Sequence, residues 1–408
     1  SCTKNSCELM RFASIIPLIG GATIAMENVL QKKPEYILSY EDFKANDKHL
    51  VDYYKGKVPY HLYGDNGLPY LPHVEVINTV CPCAGLSSLS PTASGDAAVN
   101  DWMLTSANLV LGTLKPDVFW GENAPGLASN IGKPVVEKLR KIARERGYTF
   151  SIYKTKSVFH GLGQIRNRTF YFFWKGDKVP RFEYIKREHE KIEDTIRSVK
   201  HKPNDPMNVP TNEETPSKNP YYRYVLEEMC GGITHKEFQD TKITRSQNAM
   251  DYIEWNGGNY KDVAKWMHSQ GYTKLAERCL RMHDKLSQGG NIMRKLCHFP
   301  KGTIGAFVGH MPKNLTHPDE DRYLTIRECM SIMKLPDDFI LQGGVKNLNH
   351  ICQNVPVTTA EDMAEHVQKF VDGRLDNQML DTDFLIQDNT NHKLKFEKNS
   401  VQLDAFMV

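Results

Sequence analysis

Short apolar runs, each followed by a turn and then by apolar residues at helical spacing, recur through the first 175 residues. Residues 12–30, FASIIPLIGGATIAMENVL, read as a strand, a Gly-Gly turn and an amphipathic helix. Strand-like runs return at 73–80, 117–120 (DVFW), 148–153 (YTFSIY) and 169–174 (TFYFFW). Between DVFW and YTFSIY, Val135, Leu139 and Ile142 recur at helical spacing, with Pro134 opening the helix and Gly147 closing it. Runs apolar at consecutive positions suit strands buried on both faces. Their alternation with helices predicts an α/β fold, a largely parallel, doubly wound, Rossmann-like sheet.

The pattern changes after Lys175. A charged segment, FEYIKREHEKIEDTIRSVK, reads as helix and leads into KPNDPMNVPTNEETPSKNP, whose five prolines predict an extended loop. From Tyr221 to about Glu320 short helices and Gly-rich turns replace the strand rhythm. Helical patterning resumes at RYLTIRECMSIMKLPDDF, and TTAEDMAEHVQKFVDG reads as a capped helix. The expected organisation is a catalytic and cofactor-binding domain begun by residues 1–175, a smaller domain inserted at 176–320, and a segment 321–408 that completes the first. The tail from about Leu375 carries no clear pattern.

Polar residues interrupt the apolar runs where ligands bind in such sheets, beyond the carboxyl ends of the strands. The first run ends at VCPC, residues 80–83. Taken alone, Cys83 is either a small buried hydrophobe or a nucleophile; Cys81 reads as core. DVFW runs into Glu122 and Asn123. GQIRNRTFYFFW places Gln164, Arg166 and Arg168 at alternate positions entering a strand, so that their side chains share one side. ICQNVPV brings Gln353, Asn354 and Pro356. Singly, Glu122 could cap a helix and the arginines could be a solvated face; a thiol, an acid and two guanidiniums in this order at one edge point to chemistry.

Bulk properties narrow the setting. No stretch reaches the roughly eighteen apolar residues of a membrane span, and the first residues lack a signal-peptide core, so an intracellular protein with no membrane association is expected. Nine scattered cysteines without paired CxxC spacing suggest neither a disulfide framework nor a metal site. A net charge of +3 neither requires nor opposes a nucleic-acid partner.

With these motifs in place, the chain resembles the DNA (cytosine-5) methyltransferases of bacteria, phages and viruses over nearly its whole length. Pro82-Cys83 is similar to the family's Pro-Cys loop, Glu122-Asn123-Ala124 to its Glu-Asn-Val motif, and Gln164, Arg166 and Arg168 to its Gln-x-Arg-x-Arg motif. Arg322 to Glu328 resembles its Arg-x-Leu-Thr-x-Arg-Glu helix, and QNVP its last turn. The resemblance implies methyl transfer from S-adenosylmethionine to C5 of a cytosine swung out of double-stranded DNA. It assigns Cys83 as the nucleophile at C6, Glu122 as the acid at N3, Arg166 as the thiol's positive neighbour and Arg168 as a clamp on O2. Cytosine C5 is too poor a nucleophile to act unaided, which is why a thiolate must first add at C6.

By position and by resemblance, Gly20, Gly21, Glu41, Asp65, Pro82, Met103 and Asn354 are the donor-site candidates. Glu41 would hold the ribose and Asp65 the adenine amino group. Asn123 and Gln164 join the substrate side. The insert corresponds to a target-recognition domain. Its segment 274–301 has seven Lys or Arg against two acids and nominates Arg294 and Lys295 as DNA contacts. A monomer is expected, without a metal.

Three departures qualify the match. Ser14 to Gly21 (SIIPLIGG) lacks the family's aromatic residue at Ile16 and its first glycine at Leu18. Ala84 replaces the Gln after the cysteine, and Gln353 stands for a Gly. Two alternatives stay open: a same-fold enzyme acting on RNA or using a modified donor, and a DNA-binding protein without turnover. Restriction-modification, phage protection and epigenetic marking are equally compatible with these residues.

Overall fold

The computed structural model describes residues 10–82, 101–294, 296–398 and 401–403. Cys83, Ala84 and Lys295 lie outside them. The chain divides into two compact units, one of residues 1–189, 333–342 and 353–408 and the other of residues 190–332 and 343–352. Residues 176–189, expected in the insert, thus group with the first unit.

The first unit is built on a ten-stranded sheet. Its strands are β1 (Phe12–Ile15), β2 (Ile37–Ser39), β3 (Tyr60–Leu62), β4 (Val76–Thr79), β5 (Val118–Asn123), β6 (Tyr148–Lys156), β7 (Asn167–Lys175), β8 (Phe384–Asp388), β9 (Lys393–Lys398) and β10 (Val401–Leu403). They lie in the order β10-β9-β8-β6-β7-β5-β4-β1-β2-β3. From β3 to β5 all pairs are parallel. Strand β7 runs antiparallel between β5 and β6, and β8 returns parallel to β6. Strands β1, β4 and β5 are buried at every position, so both faces of the sheet's centre are covered. Helix α1 (Gly21–Leu30) packs with α5 (Val357–Val371) and α3 (Asp101–Leu109) with α4 (Lys133–Arg146); α2 (Lys44–Tyr53) follows β2.

Three expectations are corrected. The charged run after Lys175 is helical only over Ile192–Arg197. Before it, the Gln387 side chain donates to Phe182 O and accepts from Phe182 N, while Asn389 does the same for Ile185. These partners from the end of β8 satisfy the backbone in an extended path, which no local pattern announces. The patternless tail supplies β8, β9 and β10. Helix α5 follows Pro356 with no side-chain cap; the fixed φ of proline sets its start instead.

The second unit has its own core, including Tyr222, Phe238, Ile253, Val263, Met267 and Phe299. Helix Ala249–Trp255 starts with a capping box between Asn248 and Asp251. The Arg322 to Glu328 motif is structural here. Glu328, 1% exposed, accepts two bonds from Arg322 at 2.8 and 2.9 Å and one from Thr325 N, and Arg327 pairs with Asp205. Paired in this way, Glu328 is held below the ordinary carboxylate range, although its burial pushes the other way.

Candidate active site

Strands β1, β2, β4 and β5 run parallel, so their carboxyl ends share one edge. After β1 the chain turns through Ile16 (φ 48°), Leu18 (φ 51°) and Gly20 (φ 105°) into α1. Two side-chain-bearing residues in the left-handed region are uncommon, and β-branched Ile16 is strained there. Leu18 stands where the family has glycine, and it keeps the backbone shape a glycine adopts freely. Asp47 of α2 holds the turn through Leu18 N at 3.1 Å, and its other oxygen accepts from Tyr60 Oη at 2.8 Å. Burial pushes the Asp47 carboxyl up to about 6 despite these bonds.

Gly21 permits a second contact. Its N–H donates to Asn354 Oδ1 at 2.8 Å, and a Cβ there would lie 2.0 Å from Val355 O. Asn354 O in turn accepts from Arg166 Nη2 at 3.1 Å. One asparagine therefore ties the turn after β1 to the guanidinium before β7. Beneath it, Ser14, Thr23 and Asn78 form a buried polar network linking β1, α1 and β4.

The substrate-side candidates converge. Glu122, 3% exposed at the end of β5, has Oε1 2.8 Å from Arg168 Nε. The contact is an ion pair without an aligned N–H, which leaves both atoms able to turn to another partner. Burial raises the Glu122 pKa, opposed first by Arg168 and then by Arg166. Arg166 sits between the short Gln164–Ile165 strand and β7, and Gln164 and Arg166 are buried whereas Ile165 and Asn167 are exposed. The expected alternation holds across that break. Gln164 Nε2 points at Met333 Sδ at 3.4 Å. Asn123 donates to Met103 Sδ at 3.0 Å and accepts from Ala124 N.

Pro82 and Cys81 follow β4, which pairs with β5 through Thr79 and Gly121. The Cys81 thiol is buried 3.4 Å from Thr79 Oγ1, and its pKa is pushed up by desolvation, as befits core. Cys83, two residues on, is outside the described residues. Glu41 is exposed directly after β2 and Asp65 is exposed in the turn after β3. Both acids stand at the edge where a donor's ribose and adenine would need acceptors, so the donor set fits S-adenosylmethionine.

Sequence reasoning missed Asp47, whose only signal is an acid inside a helix, and an aromatic group around β2. Trp102 lies 4.8 Å from Tyr40 and from Phe43 by ring centroids. It missed the fate of Arg294 too. That guanidinium makes a bidentate pair with Glu254 at 2.6 and 2.7 Å, and Glu254 also accepts from Tyr260. Among the described residues no group of three or more His, Cys, Asp or Glu side chains could hold a metal ion.

A mostly parallel sheet, a left-handed turn after its first strand and a buried acid among guanidiniums at the same edge define a doubly wound protein with a ligand-binding edge at the carboxyl ends of its strands. The profile of the family described as C-5 cytosine-specific DNA methylase matches residues 10–369, and the chain belongs to that family. Type II methyltransferase M.PspPI of a Psychrobacter species is 24% identical over 262 residues, 60% of this chain. Type II methyltransferase M.MthTI of Methanothermobacter thermautotrophicus is 23% identical over 262 residues, 64% of this chain. The matches span 52% and 68% of those proteins, about half the length of the first. Among solved structures, the Entamoeba histolytica methyltransferase covers 89% of this chain and 98% of its own, at 12% identity and a TM-score of 0.50. That likeness supports the fold.

Proposed function

We propose that the protein transfers a methyl group from S-adenosylmethionine to C5 of cytosine in double-stranded DNA. The observation that carries this reading is the buried Glu122 carboxyl, raised in pKa and paired off-line with Arg168 at the edge where β4 leads to Cys83. A carboxyl whose proton affinity is raised by burial can serve as the acid at N3 of a cytosine as the Cys83 thiolate adds at C6. Arg168 then accommodates O2, and Arg166 is positioned by Asn354. The added electron density makes C5 nucleophilic. Bound at Gly20, Gly21, Glu41 and Asp65, the donor supplies an electrophilic methyl carbon. Methyl transfer releases S-adenosylhomocysteine; loss of the C5 proton to water and return of the N3 proton to Glu122 then restore the C5–C6 double bond as the C6–S bond breaks and Cys83 leaves as thiolate. The target base must leave the helix stack for this geometry, and an enzyme acting on cellular DNA works inside the cell.

The test is an oligonucleotide duplex bearing 5-fluorocytosine, which blocks loss of the C5 substituent. Incubation with donor should leave a covalent complex whose proteolysis maps to Cys83, and Cys83→Ala should form none. Turnover by Cys83→Ala at the wild-type rate would refute the mechanism. Trapping on transfer RNA alone would move the substrate to RNA.

A further inference from the structure

Helix α5 and the hairpin between β6 and β7 meet at a buried polar chain that the reaction outlined above does not use. The His160 ring has Nδ1 2.7 Å from Asp362 Oδ2 on α5 and Nε2 2.6 Å from Thr155 Oγ1 on β6. Arg187 reaches the same Asp362 oxygen from Nε at 3.1 Å. At the other end, Asn389 Nδ2 donates to Thr155 Oγ1 at 3.1 Å. Asn389 follows β8, beyond residue 369 where the family profile stops.

The partners assign each proton in this chain. Asn389 holds Ile185 N with Oδ1 and Ile185 O with Nδ2, so the orientation of its amide is set. Thr155 Oγ1 therefore accepts from Asn389 and has its own proton left for His160 Nε2. That gives the ring its Nδ1–H tautomer, which donates to Asp362. Carboxylate, imidazole and hydroxyl in series can activate a hydroxyl nucleophile. Here Thr155 is 1% exposed and His160 0%, so no substrate reaches either group, and the series can only hold the chain in place.

The segment it holds carries the two arginines. Thr155 is the cross-strand partner of Arg168 in the β6–β7 ladder. His160 N donates to Ser157 O at 2.9 Å, and Ser157 N donates to Arg166 O at 3.1 Å. Arg187 closes the loop with its N–H on Phe159 O and its Nη2 on His160 O. Asn354, just ahead of α5, accepts from the Arg166 side chain. One helix segment thus grips the hairpin twice, at Arg166 through Asn354 and at His160 through Asp362. The turn between them contains Gly161, at φ 76°, and Gly163, and neither offers a side chain that could pin it.

We propose that Asp362, His160, Thr155 and Asn389 are positioning residues for methyl transfer, keeping the hairpin rigid so that the Arg166 and Arg168 guanidiniums meet the cytosine in one geometry. The inference rests on the cytosine-C5 reading above. Misplacing such a group by about 1 Å can cost a hundredfold in rate.

The test compares full-length variants in single-turnover methyl transfer from radiolabelled donor to unmethylated plasmid DNA. Thr155→Val keeps the branched shape and strips the hydroxyl, whereas Thr155→Ser keeps the hydroxyl. Thr155→Val and Asp362→Asn should transfer about ten- to a hundredfold more slowly, Thr155→Ser should stay within about threefold of wild type, and S-adenosylhomocysteine affinity should hold in all three. Amide exchange over residues 157–166, followed by mass spectrometry, should quicken in Thr155→Val but not in Thr155→Ser. The Thr155 pair carries the test should Asp362→Asn fail to fold. Wild-type transfer by Thr155→Val would overturn the proposal, as would equal slowing by Thr155→Ser, or donor affinity falling in step with the rate. Plasmid left unmethylated by the wild type would refute the DNA reading and with it the catalytic part of the proposal; equal exchange in Thr155→Val and wild type would then refute the clamp as well.

Discussion

Replacing Gly21 by alanine should uncouple the donor turn from the Asn354 segment. An alanine Cβ would stand 2.0 Å from Val355 O and 2.5 Å from Asn354 Oδ1, and the first of these is backbone. Ordinary contact needs about 3.4 Å, so α1 or the 354–355 turn must retreat by more than an ångström. That movement breaks the 2.8 Å bond from Gly21 N to Asn354 Oδ1. Overpacking of this kind costs about 1–3 kcal/mol, and an unsatisfied buried pair adds about 1–3 more. Alanine's better helix propensity returns less than about 1 kcal/mol. The expected loss is about 1–5 kcal/mol, read as a lower urea midpoint with an unchanged m-value. Asn354→Ala removes the hydrogen bond and one of the two clashes, so Gly21→Ala/Asn354→Ala should be less destabilised than the two single losses added together. Calorimetry with S-adenosylhomocysteine should show weaker binding by Gly21→Ala. Stability within about 0.5 kcal/mol of wild type, with unchanged affinity, would refute the close-approach argument.

Asp47→Asn should change the pH dependence of stability. The folded carboxyl titrates at about 6 against an ordinary 3.8, so its contribution is full below about pH 4 and is lost as pH rises through 6; removing it should stabilise the protein by up to about 3 kcal/mol at pH 7, in melting curves taken from pH 4 to 8. Leu18→Gly relieves a left-handed backbone at φ 51° but empties a buried site, so unfolding should become easier by about 1–3 kcal/mol while donor affinity holds or tightens. Glu41→Ala should cost about 1.5–3 kcal/mol in S-adenosylhomocysteine binding by calorimetry, and an unchanged affinity would place the donor elsewhere. Arg294→Ala should lower the melting temperature, as Glu254→Gln should, because their bidentate pair is internal to the insert. A change in DNA affinity at full stability would restore Arg294 to the DNA surface.

The short apolar runs that open at Phe12, Val76 and Val118 were enough by themselves to mark these segments as central strands, since only a sheet covered on both faces buries consecutive residues. The order of Glu122, Arg166, Arg168 and Asn354 likewise marked one sheet edge before any contact was known. Tertiary structure alone decided what each polar group is tied to. Asn354 lies 333 residues from Gly21, and the bond between them depends on α1 and the last turn arriving at the same point. Arg294 reads as a DNA contact until Glu254, 40 residues away, claims it. The segment 182–191 carries charges at helical spacing yet stays extended, because Gln387 and Asn389 satisfy its backbone from across the sheet. Local periodicity records which face is apolar; it contains no term for a distant hydrogen-bond partner, and those partners set the path of the backbone and the state of each charge.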